Sequence, residues 1–501
     1  MIARKSALII ISHILSGILG YVGLFFVTKY MSASDYGLVA FAMGFVAIFT
    51  IISDVGFTRA HIKKVSEGKE FGICNGTYFS IKIFLILLMI IVTLSSLFVW
   101  ENILHQGFES IQHQTTIYIM LLYWIIHRLT QCFTTTFEAR KESAKSQLSA
   151  LVNITSKTIL TIYVAIGGYG AVALAYTYIG GSIASLIISM LLFKNYPIKK
   201  PTCNYVKEYA VFAFPLLFVV VSATILSNTD KILIQLFWSS EDVGYYFSAY
   251  RLSSLTGMFA AAVGTLLFPT FSTLHTNSDL LGIKRLLFNA ERYLSMLVFP
   301  MVFGMIILAE PIVRIMLSGW MPAVPILQIL SLVVLFTTLE MPYQVQFLGM
   351  NHPKLARNRI VLMIIVNIIL NLYLIPVNIQ GINITCLGLG ARGAAIATVI
   401  SYVVGFIYSR IKGYQLTNIK GNPRIIYHFL SSLIMIIILS FIQTYIHITH
   451  LGMLILFIGL GTIIYFTILF LLKEFTKKDY HFFIDTINIK EMFKYIRNEL
   501  K

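Results

Sequence analysis

Charged residues and cysteines are both scarce in this chain. Charged residues make up 12% of the sequence, whereas soluble globular proteins carry roughly 25%. The four cysteines, Cys74, Cys132, Cys203 and Cys386, lie far apart, without C-x-x-C or another metal-type spacing. This pattern argues against both a disulfide framework and a zinc site. The sequence also has no G-x-x-x-x-G-K-[ST] motif, so it offers no P-loop for ATP.

Long apolar stretches dominate instead. The chain is 57% hydrophobic, with a mean hydropathy of +0.82. A run of about 20 apolar residues crosses the hydrocarbon core as a helix, because only a helix satisfies its own backbone hydrogen bonds there. Fourteen spans are predicted at about 6–29, 36–57, 76–99, 115–137, 148–168, 170–193, 211–237, 244–272, 290–309, 323–349, 358–377, 390–411, 425–446 and 451–472. The expected fold class is an all-α, polytopic integral membrane protein.

The basic residues indicate an orientation rather than a nucleic-acid partner. The net charge is +17, from 38 Lys and Arg against 21 Asp and Glu. Most of the basic residues flank apolar spans, at the N-terminus, in every second connection and in the tail. Membrane topology and anionic lipid headgroups explain this distribution, and the positive-inside rule predicts both termini in the cytoplasm.

An internal repeat divides the chain. The pattern D-x-G-x-x-x-x-A occurs at 35–42 and again at 242–249, each time with a serine three residues upstream of the aspartate. A second repeated pattern, rich in Gly and Ala, begins at residue 170 and again at residue 393, near the starts of two predicted spans. Each pair lies six spans apart, so the two copies share an orientation and are related by an axis along the membrane normal. A simpler alternative is that the glycine of D-x-G makes a tight turn at positive φ.

The repeat predicts four segments, which are a six-helix bundle at 1–204, a second at 205–412, two additional membrane helices at 413–473 and a cytoplasmic amphipathic tail at 474–501. Two pseudo-symmetric bundles with a cleft between them suit alternating access. The tail alternates apolar and basic residues at helical spacing and is expected to lie along the inner membrane surface.

Charged residues inside the spans are the main functional candidates. A charge at mid-bilayer costs several kcal/mol unless it faces a cavity or a partner. The residues concerned are Lys82, Arg128, Lys157, Asp230, Lys231, Arg251 and Glu340. Most are cations, which suit a phosphate-bearing ligand. Arg251 and Lys231 rank first, and Arg59 near the cytoplasmic mouth is added; Lys82 and Lys157 could instead snorkel to the interface.

Acidic and aromatic residues supply further candidates. Asp54, Asp230 and Glu340 are candidates for ion pairing or for holding a coupling ion, although a structural hydrogen bond explains Glu340 at least as well. Tyr245, Tyr246 and Tyr250 could stack on sugar rings, but interfacial belts also concentrate tyrosine. No metal site is expected.

Several segments carry a family resemblance, namely S-D-V-G-F-T-R-A at 53–60, D-K-I-L-I at 230–234, A-E-P-I-V at 309–313 and G-L-G-A-R-G-A-A at 388–395. Over residues 1–412 the sequence resembles polysaccharide-biosynthesis flippases of the multidrug/oligosaccharidyl-lipid/polysaccharide exporter superfamily, including O-antigen flippases. The resemblance implies a V-shaped twelve-helix core with a cationic central cavity.

The resemblance also implies a function. The protein would move a polyprenyl (di)phosphate-linked oligosaccharide across the cytoplasmic (inner) membrane for the assembly of surface polysaccharide such as lipopolysaccharide. The expected partners are this substrate, membrane lipids and other polysaccharide-assembly membrane proteins. No cofactor is expected, and coupling to H⁺ or Na⁺ stays open beside transport driven by substrate flux.

Two other functions compete with this one. An ion-coupled multidrug antiporter of the same superfamily would favour acidic residues in the bundles, whereas this chain has mainly Arg and Lys there. A membrane glycosyltransferase or polymerase generally needs a sizeable outer loop. The longest outer connection, about 100–114, has only Glu101 and Glu109 as carboxylates. Transport rather than catalysis is therefore expected.

The highest-ranked cation gives a direct prediction. Arg251→Ala should block glycan export while leaving the protein folded and inserted, because it removes a charge-assisted donor to phosphate. Export in cells and the amount of protein in the membrane fraction are measured together. Normal export in this variant would remove Arg251 from the candidate site.

Overall fold

Helices make up nearly all of the structure. The computed structural model describes residues 2–103, 110–214, 217–379 and 384–475. The helices are α1 Ile2–Tyr30, α2 Ala33–Phe49, α3 Phe57–Ser66, α4 Phe71–Phe98, α5 Ile111–Ala139, α6 Ser143–Ile166, α7 Ala171–Phe193, α8 Cys203–Ala213, α9 Leu217–Phe237, α10 Ser240–Thr276, α11 Leu280–Ile307, α12 Ala309–Met316, α13 Ala323–Gly349, α14 Pro353–Leu374, α15 Gly390–Thr417, α16 Ile425–Tyr445 and α17 Leu451–Leu471. Two short strands, β1 Asn378–Ile379 and β2 Ile384–Thr385, pair antiparallel.

Every predicted span falls on one of these helices. Within the described ranges, ten helices are long and apolar enough to cross a membrane: α1 from Ser12 onward, α4, α6, α7, α11 and α13 to α17. The other four predicted spans fall on α2, α5, α9 and α10. The helical, polytopic membrane class is therefore confirmed, with the small β1–β2 pair as the exception. Most of the predicted tail, from residue 476, lies outside the described residues.

The predicted span 36–57 was too long. Helix α2 ends at Phe49, and residues 50–56 form a series of turns that lead into the short helix α3. Val55 and Gly56 adopt positive φ angles of 48° and 88°, which a continuous helix cannot contain. Hydropathy alone did not show this break, because Ile51, Ile52 and Val55 extend the apolar run.

The helices group into two compact units. The first contains residues 11–248 and 363–397, and the second contains residues 1–10, 249–362 and the chain from 398 onward. One core cluster of the first unit surrounds Tyr78 and Tyr209, and one of the second surrounds Phe271 and Phe347. The duplicated halves at 1–204 and 205–412 follow sequence similarity rather than compactness, and they stay a prediction.

The two D-x-G repeats have the same local structure. Ser32 accepts a hydrogen bond from the backbone N–H of Asp35 at 3.0 Å, and Ser239 accepts the equivalent bond from Asp242 at 3.2 Å. Each serine hydroxyl also donates to the aspartate carboxylate, at 2.6 and 2.7 Å. These bonds satisfy N–H groups that a helix start leaves open, so both repeats are helix caps.

The repeat glycines allow close contact between α2 and α10. A Cβ at Gly37 would lie 1.6 Å from the carbonyl oxygen of Ser240, and a Cβ at Gly244 would lie 2.0 Å from that of Ala33. Neither glycine has a positive φ, so the tight-turn explanation is wrong. The requirement is reciprocal contact between the two repeats, where a side chain on either glycine would collide with backbone.

The Gly-Ala repeat at the start of α7 contacts the first D-x-G repeat. Asp35 Oδ1 accepts a hydrogen bond from the backbone N–H of Ala171, 3.0 Å away, at the start of α7. The Asp35 carboxylate thus accepts from Ser32, the cap of α2, and from the first residue of α7. A carboxylate at a helix N-terminus is also favoured by the helix dipole.

Contacts between connections follow the predicted alternation. Connections predicted on one face meet at Lys199–Glu70, 2.9 Å, and Arg292 at the start of the predicted span 290–309 contacts Glu474 at the start of the predicted tail at 2.5 Å. Connections predicted on the other face meet where His113 contacts Ser240 at 2.8 Å. Each of these contacts joins parts of the chain that are predicted on the same face of the membrane. This is expected for a chain that crosses the bilayer at every predicted span.

The close contact of α2 with α10 can be tested by a substitution that adds one methyl group. Gly37→Ala should lower the free energy of unfolding by about 1–3 kcal/mol, because backbone must move to admit the Cβ. Gly459→Ala in α17 is the matched control, since nothing lies within 4 Å of its added Cβ. Thermal unfolding of the purified variants measures both. Equal melting temperatures would contradict the contact.

Candidate functional site

Lys82 forms a buried ion pair in the first unit. Its Nζ donates to Asp54 Oδ1 and to the carbonyl oxygen of Ser53, each at 3.0 Å, and its side chain is 0% exposed. Asp54 Oδ1 also accepts hydrogen bonds from Thr58, from the backbone N–H at 3.1 Å and from the hydroxyl. The snorkelling alternative is therefore wrong for Lys82. A buried carboxylate holds this ammonium between α4 and the turn that follows α2.

Arg128 on α5 adds a second cation beside this pair. Its charge acts on both Asp54 and Lys82. One guanidinium nitrogen donates to Gln131 at 2.8 Å, and the guanidinium lies 5.5 Å from the centre of the Trp124 ring. Its Nε is buried without a hydrogen-bond partner among the described residues. Two cations and one carboxylate leave this cluster with a net positive charge and an unused donor.

Asp230 and Lys231 are adjacent on α9 and each makes several polar or ring contacts. The Asp230 carboxylate accepts from the Tyr246 hydroxyl at 2.5 Å and from the Asn371 amide at 2.7 Å. Lys231 donates to the side chain of Asn228 at 2.9 Å and lies 5.0 Å from the Phe247 ring centre. Both side chains are buried in the first unit.

Glu340 in the second unit is held by an arginine. Both carboxylate oxygens lie 2.6 Å from one guanidinium nitrogen of Arg359, and one of them accepts from Ser409 at 2.7 Å. Arg359 stands just inside the predicted span 358–377, and it was grouped with the basic residues that flank the spans. A carboxylate in an apolar helix requires a partner, so Glu340 itself indicated that a basic residue such as Arg359 should lie beside it.

A second buried carboxylate was missed altogether. Glu291 on α11 accepts from the Tyr343 hydroxyl at 2.5 Å, from the backbone N–H of Asn422 at 2.7 Å and from Arg410. Glu291 and Arg410 stand at the ends of the predicted spans 290–309 and 390–411, and neither was among the candidate residues. In the described parts of the chain, no group of three His, Cys, Asp or Glu side chains could hold a metal ion.

The remaining candidates are more accessible. Arg251 on α10 and Lys157 on α6 are half-buried, and Lys157 lies 4.7 Å from the Tyr178 ring centre. Arg59 on α3 is exposed. Among the candidate cations, Lys82 binds Asp54 directly, and the charge of Arg128 acts on the same pair.

The three candidate tyrosines differ in exposure. Tyr246 is 2% exposed and donates to Asp230, which favours a structural role. Tyr245 is half-buried and donates to Glu241, whereas Tyr250 is 37% exposed. Of the three, Tyr250 has the ring surface best placed to contact a ligand or lipid.

Apolar spans, a helix-based repeat and buried ion pairs together define a polytopic membrane protein. Its fold is that of known flippases and exporters. A lipid II flippase, MurJ, in an inward closed conformation aligns with a TM-score of 0.74 at 17% identity, covering 91% of this chain and 97% of that chain. An inward-facing multidrug resistance MATE family transporter of the MOP superfamily aligns with a TM-score of 0.64 at 12% identity, covering 80% and 96%.

Sequence comparison gives the family. The model of the family described as "Polysaccharide biosynthesis protein" matches residues 26–325, and the chain belongs to this family. A relative from Haloferax volcanii, the "Probable low-salt glycan biosynthesis flippase Agl15", is 24% identical over 470 residues, which cover 93% of this chain and 95% of the relative. The resemblance found in the sequence motifs is confirmed.

Proposed function

We propose that this protein is a flippase that moves a polyprenyl (di)phosphate-linked oligosaccharide from the cytoplasmic to the outer leaflet. The family, the flippase relative and the shared fold support this class of function. The protein would act as a transporter in the cytoplasmic membrane, with both termini in the cytoplasm and its glycan destined for surface polysaccharide.

The cationic cluster of Lys82 and Arg128 carries the proposal. A diphosphate headgroup needs donors in a partly dehydrated site, and charge-assisted hydrogen bonds are the strong ones. Arg128 has an unused Nε, and Lys82 could exchange Asp54 for a phosphate oxygen without losing its contact to Ser53. The guanidinium also suits phosphate geometry.

The buried acids fit a multidrug antiporter less well. Such a transporter would need carboxylates that are available for cationic drugs or protons. Here Asp54 is held by Lys82, Glu340 by Arg359 and Glu291 by Arg410. Breaking a buried pair by removing one partner costs about 3–5 kcal/mol, so these three carboxylates are unfavourable sites for a cationic cargo.

The experiment on cargo uses the gene in its host. Deleting the gene should cause lipid-linked glycan to accumulate facing the cytoplasm, and the wild-type gene should restore export. Arg128→Gln should lower export about tenfold or more, because a hydrogen bond to a charged group contributes about 1.5–3 kcal/mol.

Arg357→Gln is the matched control, since this arginine is exposed and donates to neighbouring Asn358. It should restore export fully. Equal export in the two variants at equal membrane abundance would contradict a role for Arg128, and unchanged glycan after gene deletion would contradict the flippase.

For coupling to H⁺ or Na⁺, Asp230 is the favoured carboxylate. Two groups that contact it, Tyr246 and Asn371, are neutral, and hard cations take oxygen ligands of this kind. The side-chain oxygen of Asn371 is buried without a hydrogen-bond partner among the described residues. Oxygen atoms for a small cation therefore lie beside Asp230.

Asp230→Asn should remove the dependence of transport on an imposed H⁺ or Na⁺ gradient, since it removes the charge that binds the ion. Transport in vesicles with and without each gradient measures this. Gln235→Glu is not a suitable control because Gln235 contacts Ser240. Asn358→Asp serves instead, since Asn358 is exposed near the start of α14. Gradient-dependent transport that persists in Asp230→Asn would reject this site.

A further inference from the structure

The turn that follows α2 is strained. Val55 has a φ of 48° and Gly56 a φ of 88°, so two successive residues adopt left-handed conformations just before α3. A β-branched residue at positive φ is a genuine outlier. Such a conformation persists only where its surroundings over-determine it, and it often marks a switch region.

Lys82 holds this turn in place. Its ammonium binds the carbonyl oxygen of Ser53 and the carboxylate of Asp54, the two residues directly before Val55. Asp54 in turn accepts both hydrogen bonds from Thr58 on the first turn of α3. The position of the first turn of α3 therefore depends on which groups the Lys82 ammonium binds.

A buried polar chain continues from Thr58. Its hydroxyl lies 3.2 Å from the hydroxyl of Tyr78, which also donates to Thr135 at 3.4 Å. The Tyr78 ring stacks on the His61 imidazole with centres 4.2 Å apart and planes within 8°. Tyr78 and His61 are both fully buried, so their positions are set by one another and by the α3 backbone.

The hydrogen bonds of His61 fix its tautomer. Thr136 donates its hydroxyl hydrogen to the carbonyl of Cys132 at 3.0 Å, so it accepts from His61 Nε2, also at 3.0 Å. In a neutral ring Nδ1 is then the acceptor, and the Tyr209 hydroxyl shares its hydrogen between Nδ1 at 3.0 Å and the carbonyl oxygen of Cys74 at 3.4 Å. Burial lowers the pKa of His61 to about 3, consistent with this neutral ring.

Tyr209 belongs to α8, the short helix between the two repeats. Its side chain is fully buried against Ala60, Tyr78 and Cys132. Glu208 on the same helix pairs with Lys64 of α3 at 2.9 Å. Helix α8 is thus docked on α3, α4 and α5 of the first unit, and its central hydrogen bond is the one to His61.

We propose that the 53–58 turn is a strained switch through which engagement of Lys82 controls the docking of the linker helix α8, with Thr58, Tyr78, His61 and Tyr209 as positioning residues. When a phosphate oxygen replaces the Asp54 carboxylate on the Lys82 ammonium, Ser53 stays bound but Asp54 is released. Helix α3, which begins beside Asp54, then shifts and α8 loosens. This coupling rests on the proposed role of Lys82 as a phosphate-binding cation. It gives the connection between the repeats a means of sensing the headgroup.

Hydrogen–deuterium exchange of residues 203–213 in the purified full chain tests the coupling. Lys82→Met without ligand should speed exchange in this segment about threefold to tenfold, the range that one hydrogen bond commonly represents. Exchange in α17 serves as the internal reference and should not change. Saturating farnesyl diphosphate, but not farnesol, should produce the same change in the wild type.

Reciprocity supplies the second measurement. If ligand binding must loosen α8, weakening its docking should tighten binding by the same factor. Tyr209→Phe, which deletes the hydroxyl bonded to His61, should therefore bind farnesyl diphosphate about threefold more tightly. Tyr205→Phe on the same helix is the matched control and should bind as the wild type does.

The outcomes separate this inference from the proposed function. Farnesyl diphosphate that binds without changing exchange in 203–213 overturns the coupling and leaves the flippase intact. Equal affinity of the two tyrosine variants also overturns it. If the wild type does not bind farnesyl diphosphate, the proposed phosphate site is wrong. The Lys82→Met variant then tests the coupling of Lys82 to α8 by itself. Faster exchange in 203–213 supports that coupling, and unchanged exchange overturns it.

Discussion

An ionised side chain within apolar helices must find a partner, and much of this structure follows from that constraint. Each buried carboxylate described above is met by a cation or by several hydrogen-bond donors on another element, as in Lys82–Asp54 and Arg359–Glu340. Desolvation makes such groups costly when they stand alone. The pairs therefore contribute to which helices pack together.

The membrane class and the helices were predictable because hydropathy acts over about 20 residues at a time. The break after α2 was not, since it depends on backbone conformation at Val55 and Gly56 within an apolar run. The short helices α3, α8 and α12 were missed for a related reason. Each is shorter than a span and is stabilised by tertiary contacts rather than by a long periodic pattern.

The site was predicted in part. Intramembrane charge identified Lys82 and Arg128, but sequence spacing could not show that Lys82 meets Asp54 across two elements. Arg359 and Arg410 were not recognised because they stand near the ends of predicted spans. Basic residues at such positions are usually explained by membrane topology. The D-x-G repeat was recognised as a duplication, but the close approach of Gly37 to the backbone of the second repeat depends on how α2 and α10 pack, which sequence spacing does not show.

The central claim is that buried cations make this membrane protein a carrier for a phosphate-linked lipid. The most direct measurement reconstitutes the purified protein in liposomes with a fluorescent polyprenyl-diphosphate-linked sugar. Its neutral counterpart without phosphate serves as the comparison. The account predicts that the protein accelerates leaflet exchange of the diphosphate lipid and not of the neutral one. Equal acceleration of both lipids, or of neither, would contradict it.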